Sequence, residues 1–395
     1  MKSMRYLALL TAACILQPAQ AHSAQPEYVH LIRRGIHMPQ QWYEEQARLW
    51  KTEVERNPDD AAAWRNYYMA TAYSLWGTTD SPEGERRVSE IFDEMGAALP
   101  DSYEYLYLKA RSYAADLETE ELNDLFERGL ELCPQSQECT DLYEELAVQH
   151  EQNGNFDQAR VAWAQAYRTG GLASGLIDYN YNMLMSTDAD AILFTNGDND
   201  TFPAWMLQRL KGIREDVLVL NVFLSRKERS YLARELRSKN VELDTEALPA
   251  GDADFLDALC EGISRSNPDV SIYVALTVAN RYKAKIEDKL YVTGLASLYS
   301  ESRVDNIALL KRNVGRRFRL DYLRHDWYSE DHISTVPEVY RLNGNYSVPF
   351  IMLFEHFMTG EELERAEYWR GLTLEIARKS SDPSFLEAVE KRVAR

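Results

Sequence analysis

The chain has 395 residues, 63 of them acidic and 44 basic, for a formal charge of −19. Such a surplus of carboxylates argues against a nucleic-acid partner, because phosphate binding needs clustered Lys and Arg. Hydrophobic residues make up 45% of the sequence, enough for a large core, and at about 150 residues per domain the length suggests two to three domains.

Residues 1–21 read as a signal peptide. Lys2 and Arg5 form a basic start, Leu7 to Leu16 an apolar stretch, and Ala19-Gln20-Ala21 a small-residue cleavage site. The mature chain is then expected to begin at His22 in the periplasm, with 22–39 as an extension. A second reading takes Thr11-Ala12-Ala13-Cys14 as a lipoprotein box that anchors the chain at Cys14. No later stretch approaches the ~18 apolar residues of a membrane span.

Residues 40–172 carry a helical repeat pattern. The segment Trp42 to Val54 supplies a first helix, and Asn57-Pro58-Asp59-Asp60 precedes a second helix with Trp64, Tyr67, Tyr68 and Thr71 on one face; Asp59 or Asp60 can cap it. Pro100 and Pro134 lie 34 positions apart, the tetratricopeptide period. Between them one helix carries Leu106, Ala110 and Tyr113 and the next Leu122, Phe126 and Gly129. The following unit is the clearest: Tyr143, Ala147, Gly154, Phe156, Ala159, Trp163 and Ala166 supply the large, small and turn residues of the repeat in order. The segment resembles tetratricopeptide repeats, which implies a stacked array with a concave binding face; a plain helical bundle is the alternative. Tyr67 and Tyr105 either line a peptide groove or pack between repeats. Cys133 and Cys139 flank a helix connection, where an oxidising compartment permits a disulfide; two reduced thiols are the other reading. Cys260 falls in an apolar helical pattern and is expected in the core. No Cys/His spacing of the zinc kind occurs.

The pattern changes after Gly170-Gly171. Residues 173–339 read as a Rossmann-like α/β domain with a parallel sheet. Ala191–Phe194, Val217–Leu224 and Ser271–Val278 are unbroken apolar runs suited to buried strands. Helical patterns at Phe202–Lys211, Lys227–Lys239 and Phe255–Ser266 alternate with them. No G-x-G-x-x-G follows the first strand, so a dinucleotide fingerprint is absent.

The informative loop is Asn196-Gly197-Asp198-Asn199-Asp200, at the carboxyl end of the first strand, where open sheets bind ligands. Ser225 and Arg226, after the second strand, and Thr277 and Asn280, after the third, should lie beside it. Asp198 and Asp200 form a D-x-D pair whose oxygens could hold a divalent cation, the one cofactor this sequence suggests. The alternative is structural: Gly197 turns the chain, Asp198 and Asn199 make Asx turns, Asp200 or Thr201 caps a helix, and Pro203 fits its first turn. A second polar cluster, His325, Asp326, Glu330, Asp331 and His332, lacks metal-ligand spacing and reads as a solvated loop.

The stretch Ile192–Pro203 resembles the soluble C-terminal region of a bacterial multi-spanning membrane family, protein O-mannosyltransferase-like and of otherwise unknown function. The likeness continues through Gly212–Val217, Tyr273–Thr277 and Gly294–Ala296 and ends near Asn345-Tyr346. It implies a shared extracytoplasmic domain. Glycosyl transfer does not follow from it, because that assignment rests on the family's membrane-embedded half. Where the family tends to have an Asn-Thr-Asp-aromatic stretch, this chain has Ser225-Arg226-Lys227-Glu228-Arg229.

Residues 340–395 read as a helical hairpin. Phe350, Leu353, Phe354 and Phe357 form one apolar stripe, and Leu363, Ala366, Trp369, Leu372 and Ile376 form another. No nucleophile–base pair can be placed together. The functional expectation is a periplasmic adaptor that binds a protein or peptide through its array, in an envelope or glycan-handling assembly and with a membrane protein as one candidate partner. The alternatives are a cation-dependent sugar-binding or sugar-processing enzyme at Asn196–Asp200, and a structural accessory with a vestigial α/β domain.

Overall fold

The computed structural model describes residues 25–32, 37–75, 81–113, 119–133, 138–325, 336–380 and 382–394. Residues 1–21, expected as a signal peptide and containing Cys14, lie outside them, as do Pro134 and the polar cluster beyond His325. The described chain is mostly helical with one small mixed sheet, and it divides into two compact units. The first takes in residues 25–151 and 157–171, the second 152–156 and 172–394.

The first unit is built from α1 (Gln40–Arg56), α2 (Ala61–Ser74), α3 (Pro82–Ala98), α4 (Tyr103–Tyr113), α5 (Thr119–Leu132), α6 (Glu138–Gln152) and α7 (Phe156–Arg168). Local chemistry sets the starts: the Asp60 carboxylate accepts from the Ala63 N–H and Ser81 Oγ from the Gly84 N–H. Of the two expected caps for α2, Asp60 is the one used. Between α6 and α7, Gly154 turns the chain with a φ of 74°. Close approach is bought by small residues: a Cβ on Gly129 would meet Leu142 Cδ2 at 2.9 Å. Trp163 is fully buried, and its indole donates to the buried Glu151 carboxylate at 3.2 Å. Cys133 and Cys139 are joined by a disulfide with a Cα separation of 5.7 Å.

The second unit starts with α8 (Ser174–Met185), β1 (Ile192–Thr195), α9 (Asp198–Lys211), β2 (Leu218–Asn221), α10 (Val222–Lys227), α11 (Arg229–Arg237), α12 (Asp252–Ser266) and β3 (Ile272–Ala275). It continues with α13 (Asn280–Lys283), β4 (Leu290–Val292), β5 (Ala296–Tyr299), α14 (Asn306–Arg316), α15 (Tyr322–His325), α16 (Val336–Asn343), α17 (Ser347–Thr359), α18 (Leu363–Lys379) and α19 (Pro383–Val393). The sheet order is β2-β1-β3-β5-β4. β1 runs parallel to β2 and β3, with Leu193 opposite Val219 and Tyr273. β5 is antiparallel to both β3 and β4. The expected all-parallel sheet is thus corrected to a mixed one, because β4 and β5 form a hairpin around Thr293-Gly294-Leu295.

Three further expectations change. The run Val217–Leu224 is not one strand: the Asn221 side chain accepts from the Phe223 and Leu224 N–H groups and turns the chain straight into α10. The helix expected over Lys227–Lys239 is interrupted at Glu228, separating α10 from α11. The C-terminal hairpin is a three-helix unit, since α19 adds buried Val389 and Val393 and is capped by Asp382 ahead of Pro383. No described helix is long and apolar enough to cross a membrane.

Candidate functional site

At the carboxyl ends of β1 and β3 the expected loops do meet. Gly197 is the residue before α9, and Asp200 stands three residues further on, inside the first turn. Its carboxylate reaches back over the helix start: Oδ1 accepts from the Gly197 N–H at 2.7 Å and Oδ2 from the Asn196 N–H at 2.8 Å. Thr277, beyond β3, donates its hydroxyl to Oδ2 as well. The Asn196 side chain crosses the same gap and accepts from the Ala279 N–H at 3.1 Å. Asp200 is 3% exposed. Burial pushes its carboxyl above the usual range, while Thr277, the two backbone donors and the positive charge of Arg341 pull it down. Asp200 is therefore not the N-cap; it is the acid of the first turn, satisfied by its own loop and by the loop of a neighbouring strand.

Behind it, Thr195 and Thr201 share a hydrogen bond of 2.7 Å, and Asn221 donates to Thr201 Oγ1 at 3.1 Å. Asn199 donates to the buried Glu338 carboxylate at 3.0 Å, and Glu338 is paired with Arg341 of α16. Asn196, Gly197, Asp200 and Thr277 are thus brought together. Arg226 turns away: its guanidinium meets Asp252 Oδ1 at 2.6 Å and the Ala250 carbonyl at 3.1 Å, while Arg281 binds the other Asp252 oxygen. Ser225 is buried with no hydrogen-bond partner for its hydroxyl among the described residues. Asn280 opens α13 and Asp198 opens α9, both half-buried. Among the described residues, no three His, Cys, Asp or Glu side chains gather where a metal ion could be held.

A second constellation lies in the first unit, where the sequence pointed to Tyr67 and Tyr105. Neither lines a groove. Tyr67 is buried and its hydroxyl takes Arg87 Nη2 at 2.8 Å; Tyr105 stacks on Phe92, ring centroids 4.9 Å apart. The polar side chains that hold a peptide are elsewhere. Residues 25–31 form neither helix nor strand and lie against α1 and α2. Gln46 accepts from the Glu27 N–H at 2.6 Å, and the Trp50 indole donates to the Glu27 carbonyl at 2.9 Å. Asn66 accepts from the Val29 N–H at 2.8 Å, and Arg65 donates to the Val29 carbonyl at 2.9 Å. Both backbone groups of two alternate residues are therefore held by side chains. Val29 and Leu31 point inward while Tyr28 and His30 remain exposed, the period-2 alternation of an extended chain. Arg65 also lies over the Tyr28 ring, 4.5 Å from its centroid. Gln46, Arg65 and Asn66 are all buried. The signal available in sequence was the alternation at Tyr28-Val29-His30-Leu31; nothing there linked it to residues about 37 positions later.

The model of one family, TMEM260-associated domain 2, matches residues 176–251. The match runs from α8 through α11 to the residue before α12, and so covers the Asn196–Asp200 loop, Ser225 and Arg226 but not Thr277 or Asn280. It is compatible with a domain like the C-terminal region of TMEM260. No curated protein and no solved structure matches the chain.

Proposed function

We propose that this chain is an exported interaction protein whose helical array, read as tetratricopeptide-like, grips an extended peptide segment of a protein partner along α1 and α2. One observation carries the reading: Gln46, Trp50, Arg65 and Asn66 bind the main chain of Glu27 and Val29. Main-chain recognition tolerates different side chains, as in strand addition to a sheet edge, so the surface that residues 25–32 cover suits a competing segment. The Gly154 turn and the buried Ala147, Ala159 and Ala166 support the repeat assignment, and the parallel β2-β1-β3 core supports a Rossmann-like ancestry for the second unit. The Cys133–Cys139 disulfide supports an oxidising compartment such as the periplasm. The TMEM260-associated match supports a place in an envelope or glycan-handling assembly, with a membrane protein as the partner to test first.

The test removes residues 22–32 from the full chain and adds a fluorescein-labelled peptide of residues 25–32. Saturable binding is expected, weakened at least about tenfold by Asn66→Ala, in line with the loss of a buried hydrogen-bonded group. Changing Tyr28 or His30 of the peptide should matter little, whereas N-methylation at Val29 should abolish binding. A truncated chain that melts cooperatively yet ignores the peptide, or binds the N-methylated one equally well, overturns the reading.

A further inference from the structure

Within this acid-rich chain, residues 311–324 run against the trend. They include Lys311, Arg312, Arg316, Arg317, Arg319 and Arg324, with Asp321 the sole acid. Arg312 is paired with Asp188 at 2.8 Å. The other five are exposed, and among the described residues none forms an ion pair. Most of the described exposed cations do, as Arg365 does with Glu362 and Lys391 with Glu387. The cluster's cations rest on rings or backbone instead: Arg319 lies 3.7 Å from the Tyr181 ring centroid, Arg324 5.1 Å from that of Tyr368, and Lys311 5.7 Å from that of Phe357. The C-terminal dipole of α14 accounts for Arg316 and Arg317. It does not reach Arg319 or Arg324.

Beside this cluster the surface is concave. A pocket of about 510 Å³ is lined by Val314, Phe318, Arg319, Asp321, Tyr368 and Trp369, among others. Its volume is that of a small-ligand site. Tyr368 is 44% exposed, and the Asp321 carboxylate in the wall has no partner among the described residues.

We propose that this pocket docks an acidic peptide segment bearing one aromatic side chain, the ring lying against Tyr368 and Trp369 and the flanking carboxylates meeting Arg319 and Arg324. Charge complementarity selects an anion, since five cations without an ion pair among the described residues, on a chain of charge −19, leave a local positive field. The basic surface extends beyond the pocket, which suits a segment longer than one small molecule. Asp321 favours a peptide over an anionic membrane: a carboxylate in the wall can accept backbone N–H groups but is repelled by a layer of phosphates. The pocket lies wholly within the second unit, so this inference stands independently of the α1–α2 groove.

The probe is a fluorescein-labelled peptide of three Glu, one Trp and three Glu, titrated into the full chain and followed by anisotropy. Binding should be saturable and should weaken with salt, as exposed charge pairs do. Arg319→Gln/Arg324→Gln should raise Kd at least about tenfold with an unchanged melting curve, and Tyr368→Ser should raise it at a position where packing is not at risk. The counterpart with Lys in place of Glu should not bind. Equal affinity of the parent and the double variant, equal binding of the Lys peptide, or sedimentation of the chain with phosphatidylglycerol vesicles while the Glu peptide fails to bind would each overturn the proposal. Asn66→Ala, which acts in the groove, should leave this titration unchanged.

Discussion

Thr277 donates its hydroxyl to Asp200 across 77 positions of sequence, tying the loop after β3 to the first turn of α9. The crevice between β1 and β3, where an open parallel sheet would receive a ligand, is here bridged by the protein's own side chains. Asp200→Ala would leave the Asn196 and Gly197 N–H groups without their acceptor, at about 1–3 kcal/mol for each that stays buried. Asp200→Asn, harmless at a simple helix cap, turns an amide against a backbone donor and should also cost about 1–3 kcal/mol. Thr277→Val should cost about 1 kcal/mol, and a double-mutant cycle by urea unfolding should show the two residues coupled. A silent Asp200→Asn would contradict this account.

Trp163 is the best-buried large residue of the array and bonds Glu151. Trp163→Ala should cost about 3–5 kcal/mol, read as a lowered urea midpoint. Trp163→Phe should keep part of the packing but lose the hydrogen bond to the Glu151 carboxylate, so it should cost about 1–3 kcal/mol more than the volume change alone predicts.

Lys283 is 6% exposed and gives one hydrogen bond, to the Leu276 carbonyl at 3.2 Å. Burial lowers its pKa to about 8, partly opposed by Glu287. Between about pH 8 and the unfolded lysine value of about 10.4, the unfolded chain holds a proton that the folded chain has released. Stability contributed by this group therefore rises with pH across that window. Lys283→Met should be more stable than the parent at pH 7 and lose that advantage toward pH 10, measured as the difference between two unfolding series. A difference independent of pH would refute it.

The disulfide closes a loop between residues six apart in sequence. Replacing both cysteines by Ser should cost about 2 kcal/mol by the loop-entropy relation. Cys260 is buried, and burial pushes its thiol well above the ordinary range. In a chain of residues 22–395, which lacks Cys14, a thiol reagent should therefore find no reactive group in the native oxidised state, and one upon unfolding; modification before unfolding would show that the α12 packing is wrong.

Much of the fold was legible where burial is one-sided or complete. β1 and β3 announced themselves as unbroken apolar runs, and α1, α2, α5 and α7 as periodic stripes. The hairpin of β4 and β5 did not, because Tyr291 and Ser297 break the apolar pattern in strands only three and four residues long. Val222 to Leu224 misled for the opposite reason: an apolar run passes from a strand into a helix without interruption, and only the Asn221 cap marks the change. At the site, sequence placed Asp200 at a helix start and near Thr277. It could not supply the direction of the carboxylate, which depends on a register set by the parallel β1–β3 pair. The Gln46, Arg65 and Asn66 grip was invisible because single polar residues on apolar helix faces carry no pattern of their own.

The grip on Val29 also sets an order of events. Val29 leaves the ribosome 37 residues ahead of Asn66, roughly 2–7 s earlier at ordinary rates of synthesis. During that interval the segment has nothing to hold it. When α1 and α2 finally pair, the first strand of peptide to reach them decides what the newborn array encloses, and the chain's own beginning competes with whatever else is within reach.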